Sequence, residues 1–220
     1  MKQSLKECLL NLFLPIGTVC PLCSRTLVGL ERTVCCHCED ELRQQVLTPL
    51  ECVSDHEPLL RCISAFSYRG AARKLIHVLK YGSDATVAPL LGAYMCAALL
   101  WLPRREWDVI VPVPLHPERL RKRGYNQAQL LAEQVADCYQ QTLRTDLLVR
   151  IVDKKSQTTR RASERRIAME GVFQADPKAA GLRILLVDDV LTTGATATSC
   201  AKVLLEAGAV SVTLITACRA

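Results

Sequence analysis

The chain has 220 residues, with 28 basic against 22 acidic side chains and a formal net charge of +6. Half of it is hydrophobic, enough to fill one α/β domain and a small appendage. Aromatics make up 5%, which argues against an aromatic platform for nucleic acid, and the mild basicity suits an anionic ligand or nucleic acid without demanding either.

The first stretch, "MKQSLKECLLNLFLP", lacks a clean apolar run of signal-peptide length and a small-residue cleavage site. Leu5, Cys8, Leu9, Leu12 and Phe13 fall at helical spacing, so an amphipathic helix is expected. The twelve cysteines then belong to a soluble, reducing, cytoplasmic setting rather than to a secreted disulfide scaffold. Most of them, including Cys62, Cys96, Cys138, Cys200 and Cys218, are expected as small buried hydrophobes.

Four others have a different pattern. "CPLC" at 20–23 and "CCHC" at 35–38 form two Cys-x2-Cys knuckles separated by eleven residues. Tetrahedral zinc takes two soft ligands from each knuckle, so Cys20, Cys23, Cys35 and Cys38 are the expected ligands, with Cys36 and His37 as alternates. Four thiolates leave no open position, so the role would be structural. The competing reading is four unligated core cysteines, which so short and polar a segment could hardly support.

Residues 61–68 alternate as a strand, and 70–80 and 85–101 read as helices. The apolar stretch 87–103 is broken by Pro89 and Gly92 and falls short of a membrane span. "WDVIVPVP" is a strand ending in prolines, 124–142 a long helix and "LLVRIV" a strand. Residues 153–166 are polar and basic without an apolar period and read as a loop. "GVFQ", the buried strand from Ile184 to Val187, a helix over 196–207 and "VSVTLITA" complete the chain. From 107 onward strands and helices alternate, which predicts a parallel sheet with right-handed crossovers. The domain organisation expected is an N-terminal helix and four-cysteine zinc module at 1–45, a connecting or hood region at 46–106 and an α/β core at 107–220.

The junction "VDDVLTTGAT" carries the sharpest chemistry. A strand–turn–helix with free backbone N–H groups attracts anions, yet Asp188 and Asp189 at its entrance would repel one. The two fit together on a sugar phosphate. The carboxylates accept hydrogen bonds from vicinal hydroxyls, while Thr192, Thr193, Gly194, Ala195 and Thr196 wrap the 5-phosphate. A nucleotide P-loop is excluded because its Gly-x4-Gly-Lys spacing is absent. A plain strand–turn–helix would not need two acids and three threonines.

The same stretch, Val190 and Leu191 included, resembles the phosphoribosyl pyrophosphate (PRPP) signature of type I phosphoribosyltransferases. With "YRGAARKLIHVLKYG" at 68–82, "VPVPLHPERLRKRGYNQAQLLA" at 111–132 and the cysteine knuckles, nearly the whole chain resembles the ComF/GntX family. The resemblance implies a type I phosphoribosyltransferase-like fold, a parallel sheet flanked by helices, beside a small zinc-ribbon-like module. It implies a link to DNA uptake, natural transformation or the use of external DNA, and a DNA-translocating helicase as partner.

It also distributes roles. The loop Pro114–Arg119, with Arg121, Lys122 and Arg123 behind it, corresponds to the pyrophosphate loop, so Arg119 and Arg123 are candidates for phosphate. Asn126 and Gln127 offer amide hydrogen bonds, or are ordinary residues of a helix start. Loop 153–166 corresponds to the catalytic hood loop, where Gln157 and Arg165 match the family, as does Phe173, but Ala168 stands where an asparagine is expected. Tyr68, Arg73, Lys74 and Lys80 are candidates to recognise a base, although Leu75, Ile76 and Leu79 give the same helix an ordinary core face. As an enzyme the protein would transfer phosphoribose from PRPP to a nitrogen nucleophile with Mg. As a binding module it would grip single-stranded DNA through 119–123 and 154–166.

Overall fold

The computed structural model describes residues 19–29, 31, 33–47, 52–53, 61–82, 84–102, 106–151 and 171–220. The expected N-terminal helix and the basic loop, with Gln157, Arg165 and Ala168, lie outside the described residues. In chain order the elements are α1 (Cys36–Arg43), β1 (Cys52–Val53), β2 (Arg61–Ser67), α2 (Gly70–Tyr81) and α3 (Ala88–Leu99). There follow β3 (Val109–Pro112), α4 (Pro117–Arg123), α5 (Gln127–Tyr139), β4 (Thr142–Leu143), β5 (Leu148–Arg150) and β6 (Phe173–Ala175). The chain closes with β7 (Arg183–Leu191), α6 (Ala195–Glu206) and β8 (Ser211–Arg219).

Six strands form one sheet in the order β1-β2-β8-β7-β3-β4. Only β1 runs antiparallel to its neighbour; the other pairs are parallel. The expected parallel sheet flanked by helices is therefore what forms. It also takes in β2, from the connecting segment, which lies beside β8 with Ile63 opposite Ile215. β5 and β6 form a separate antiparallel pair that brackets the basic loop.

Both faces of the central strands are apolar because both are covered. On β7, Leu185 and Val187 join the core made with α1, α2, α3 and α5. Ile184 and Leu186 point the other way, into the core made with α6 and β6. α2 buries Ala71, Ala72, Leu75, Ile76 and Leu79, a spacing that puts them on one helical face. α3 packs against α5 at Gly92, where a Cβ would lie 2.4 Å from Cβ of Gln134. No helix among the described residues is long and apolar enough to cross a membrane.

Three local readings need correction. The long helix expected over 124–142 forms as α5, but the expected loop Pro114–Arg119 runs into a further helix, α4, that starts at Pro117. Proline suits a first helical turn. Gly124, at φ 83°, then ends α4 in the left-handed region, and the Asn126 side chain caps a new helix. The strand expected to stop at Val187 continues to Leu191, because β8 keeps pairing with it up to Arg219 opposite Leu191. Cys138 is exposed on α5, whereas Cys62, Cys96, Cys200 and Cys218 are buried as expected.

Candidate functional site: a cleft at the sheet edge and a four-cysteine centre

The two cysteine knuckles close on one another. The first is a tight turn, with Ser24 in the left-handed region and its N–H donating to the Cys20 carbonyl at 2.8 Å. The second is the start of α1, where Cys35 flanks the helix and Cys38 lies in its first turn. The four sulfurs of Cys20, Cys23, Cys35 and Cys38 lie within 4.8 Å of one another. Four ligands at zinc–thiolate bond length would stand about 3.8 Å apart, and Cys23 and Cys35 are at 3.6 Å. This donor set fits a tetrahedral soft metal. The alternates fall outside it: His37 is not in the cluster, and exposed Cys36 faces Arg25. Glu31 supports the second knuckle by accepting the Cys36 and Val28 N–H groups.

The second centre lies at the carboxyl ends of β3 and β7. The chain leaves β3 toward β4 and leaves β7 toward β8, on opposite sides, so a crevice must open between them. There a cleft of about 430 Å³ collects residues from across the chain. Asp188, Asp189, Val190, Thr192 and Thr196 come from the β7–α6 junction, and Arg119, Arg123, Asn126 and Gln127 from α4 and α5. Leu191, Gly194 and Ala195 surround a smaller hollow of about 30 Å³ beside it. Gly194, at φ 76°, turns the chain into α6. Thr193 lines neither space; its hydroxyl accepts the Ala195 N–H at 3.5 Å.

The side chains differ in how far they are already committed. Asn126 is held at both ends of its amide, which donates to the Val113 carbonyl at 2.9 Å and accepts the Ala128 N–H at 3.1 Å. Gln127 is buried, and its Nε2 has no partner. Arg150, at the end of β5, also lines the cleft, with its guanidinium 5.3 Å from the Phe173 ring centre. Its Nε is buried without a partner, and burial together with the charge of Arg119 lowers its pKa. Sequence reasoning missed Arg150, which reads as an ordinary strand residue. A sole cation in an apolar strand beside the basic loop was the available signal.

The acid pair is unevenly placed. Lys80, near the end of α2, reaches Asp189 at 2.9 Å. Of the basic residues expected on that helix, Lys80 alone lines the cleft, while Tyr68 lines it from the preceding segment. Tyr81 is exposed on the rim, and the guanidinium of Arg123 lies 5.3 Å from its ring centre. Burial, followed by the charge of Asp189, raises the Asp188 carboxyl to about 7, although the Asp189 N–H and Lys80 pull it down. The cleft thus brings the acid pair together with two side chains, Gln127 and Arg150, that each keep a buried N–H donor without a partner.

No family model matches the chain. Among solved structures, glutamine PRPP amidotransferase from B. subtilis aligns with 60% of this chain at 18% identity and a TM-score of 0.43, over only 26% of its own length. TT1426 from Thermus thermophilus aligns with 59% of this chain and 72% of its own, at 16% identity and a TM-score of 0.37. Sequence relatives extend over much more of the chain. DNA utilization protein YhgH of Escherichia coli K12 is 27% identical over 96% of this chain and 95% of its own. Competence protein F of Haemophilus influenzae is 26% identical over 92% and 90%. With competence protein ComFC of Bacillus subtilis the identity reaches 31% across 196 residues, 87% of this chain and 73% of that protein, and on that match the chain belongs to the ComF family.

Proposed function

We propose that the cleft binds PRPP or a related ribose phosphate, in a protein that serves DNA uptake or the reuse of external DNA. The observation that carries this is the pairing of opposite needs in one space. Asp188 and Asp189 can only accept hydrogen bonds when ionised, which suits ribose hydroxyls. Gln127 Nε2 and Arg150 Nε are buried donors without partners, which suits phosphate oxygens. The Thr192–Thr196 turn adds backbone N–H groups at the start of α6. The names of the relatives, DNA utilization and competence proteins, support the process. In this reading the four-cysteine module holds a structural zinc, and residues 46–106 connect it to the site and add β2, α2 and α3 to the core formed with 107–220.

Calorimetric titration with PRPP, with and without Mg, tests the proposal. Saturable binding that weakens in Gln127→Ala and Arg150→Ala is expected; a flat titration under both conditions would refute it. The rim supports a second reading as a single-stranded-DNA binder. Arg119 and Arg123 are cations at the cleft mouth, and Tyr81 offers an exposed ring for a base. Oligonucleotide binding that competes with PRPP would place both ligands at this mouth.

A further inference from the structure

We infer that Lys80 is the built-in cation of the carboxylate pair, occupying the place a divalent metal would otherwise take, so that a ribose is held there without a metal at the acids. The inference deepens the ribose-phosphate reading of the cleft, but its first test does not depend on that reading.

The geometry is specific. The Lys80 Nζ–Asp189 Oδ1 distance is 2.9 Å, with the side chains 23% and 11% exposed, so water screens the pair only weakly. Among the described residues, Lys80 is the cation that pairs with these acids; Arg119, Arg123 and Arg150 line the cleft without an ion pair to them.

Both ends of the helix that delivers Lys80 are fastened from outside. At its start, the Ala71 and Ala72 N–H groups donate to Glu41 and Gln45, each at 2.9 Å, from α1 and the turn after it. At its end, the Tyr125 hydroxyl donates to the Leu79 carbonyl at 2.7 Å. Lysine on a freely moving element would spend most of its time in solvent; here the preceding residue is pinned.

A carboxylate pair facing an ammonium carries one net negative charge. A dication entering beside it must displace the lysine or sit against a like charge. The same ammonium still has two free N–H donors, which can point at a sugar hydroxyl oxygen while the carboxylates accept the hydroxyl protons.

Two measurements at pH 8, on zinc-loaded protein, test the inference. The first is direct Mn²⁺ binding, with no sugar phosphate present, followed by the spin signal of free Mn²⁺. Lys80→Met should bind one Mn²⁺ at least about tenfold more tightly than the unaltered protein, the order expected for removing an adjacent like charge. Lys80→Arg should exclude Mn²⁺ as the native lysine does, and Lys80→Met combined with Asp188→Asn and Asp189→Asn should lose the gain. Equal Mn²⁺ affinity in the native and Lys80→Met proteins would overturn the inference, as would a gain that survives removal of the acids.

The second measurement uses ribose 5-phosphate, which lacks a diphosphate to carry its own metal. The native protein should bind it equally in chelator and in Mg²⁺, while Lys80→Met should bind weakly in chelator and recover with Mn²⁺. A native protein that needs Mg²⁺ for ribose 5-phosphate would also overturn it. Failure of both proteins to bind this ligand under every condition would sink the ribose reading, and the Mn²⁺ comparison would still decide the role of Lys80.

Discussion

Asp188 is the residue whose environment has the largest consequence. Its carboxyl is raised to about 7 by burial and by Asp189, so in the folded protein it holds its proton to higher pH than in the unfolded chain. The folded state therefore binds more protons between roughly pH 4 and 7, and stability falls as pH rises through that window. Denaturant melts at pH 5 and pH 8 should show the loss, and Asp188→Asn, which cannot ionise, should flatten it. A pH-independent difference between the two proteins would contradict the raised value. Ligand binding has the opposite sign, because the ionised pair is the better hydroxyl acceptor. The double variant Asp188→Asn with Asp189→Asn should weaken PRPP by on the order of 1.5–3 kcal/mol for each charged hydrogen bond removed. Inorganic phosphate, held by the turn, should bind as well or better, and titration calorimetry with both ligands reads the split.

Two elements carry the site, and each depends on one local feature. The β7–α6 junction turns at Gly194, whose φ of 76° is open to glycine and strained for branched side chains. Gly194→Val should abolish phosphate and PRPP binding alike, with the zinc content unchanged as a check on the rest of the fold. α2 depends on the element before it. Glu41 and Gln45 occupy the N–H groups that begin α2, so the knuckle helix α1 fastens the helix that carries Lys80. Cys38→Ser should lose about one zinc per chain by metal analysis, since four thiolates make one site. Glu41→Ala keeps the zinc and should cost about 1 kcal/mol by denaturant unfolding, the usual cost of removing a helix-start acceptor.

Over the whole molecule, cations gather at one mouth. Arg119, Arg123 and Arg150 line the cleft, and the sequence between β5 and β6 carries Arg160, Arg161, Arg165 and Arg166. If this surface holds single-stranded DNA, replacing those four loop arginines with alanine should reduce affinity. It should also flatten its salt dependence by about 0.7 log units for each phosphate no longer neutralised. Fluorescence anisotropy with a labelled oligonucleotide over a salt series measures both, and an unchanged slope would remove the loop from the surface.

Much of this was legible in the sequence, where chemistry is local. Knuckle spacing picked out Cys20, Cys23, Cys35 and Cys38, because a metal needs its ligands paired at fixed short intervals, and their sulfurs do converge. The alternation of buried strands and helices from 107 onward pointed to a parallel sheet, because parallel strands need a crossover between them. The adjacent acids, threonines and glycine at 188–196 marked the mouth of the cleft, since a strand, a tight turn and a helix start are contiguous in the chain. What only the tertiary structure decided is what reaches that mouth from far away. Lys80 meets Asp189 because β2 pairs beside β8 and carries α2 across the sheet edge. Arg150 enters from a separate hairpin, with 38 residues between it and Asp189 in the chain. Gln127 keeps an unpaired donor, whereas its neighbour Asn126 is spent on a helix cap. No periodicity or spacing encodes such meetings, because the energy that makes them comes from burying faces whose partners are remote in sequence.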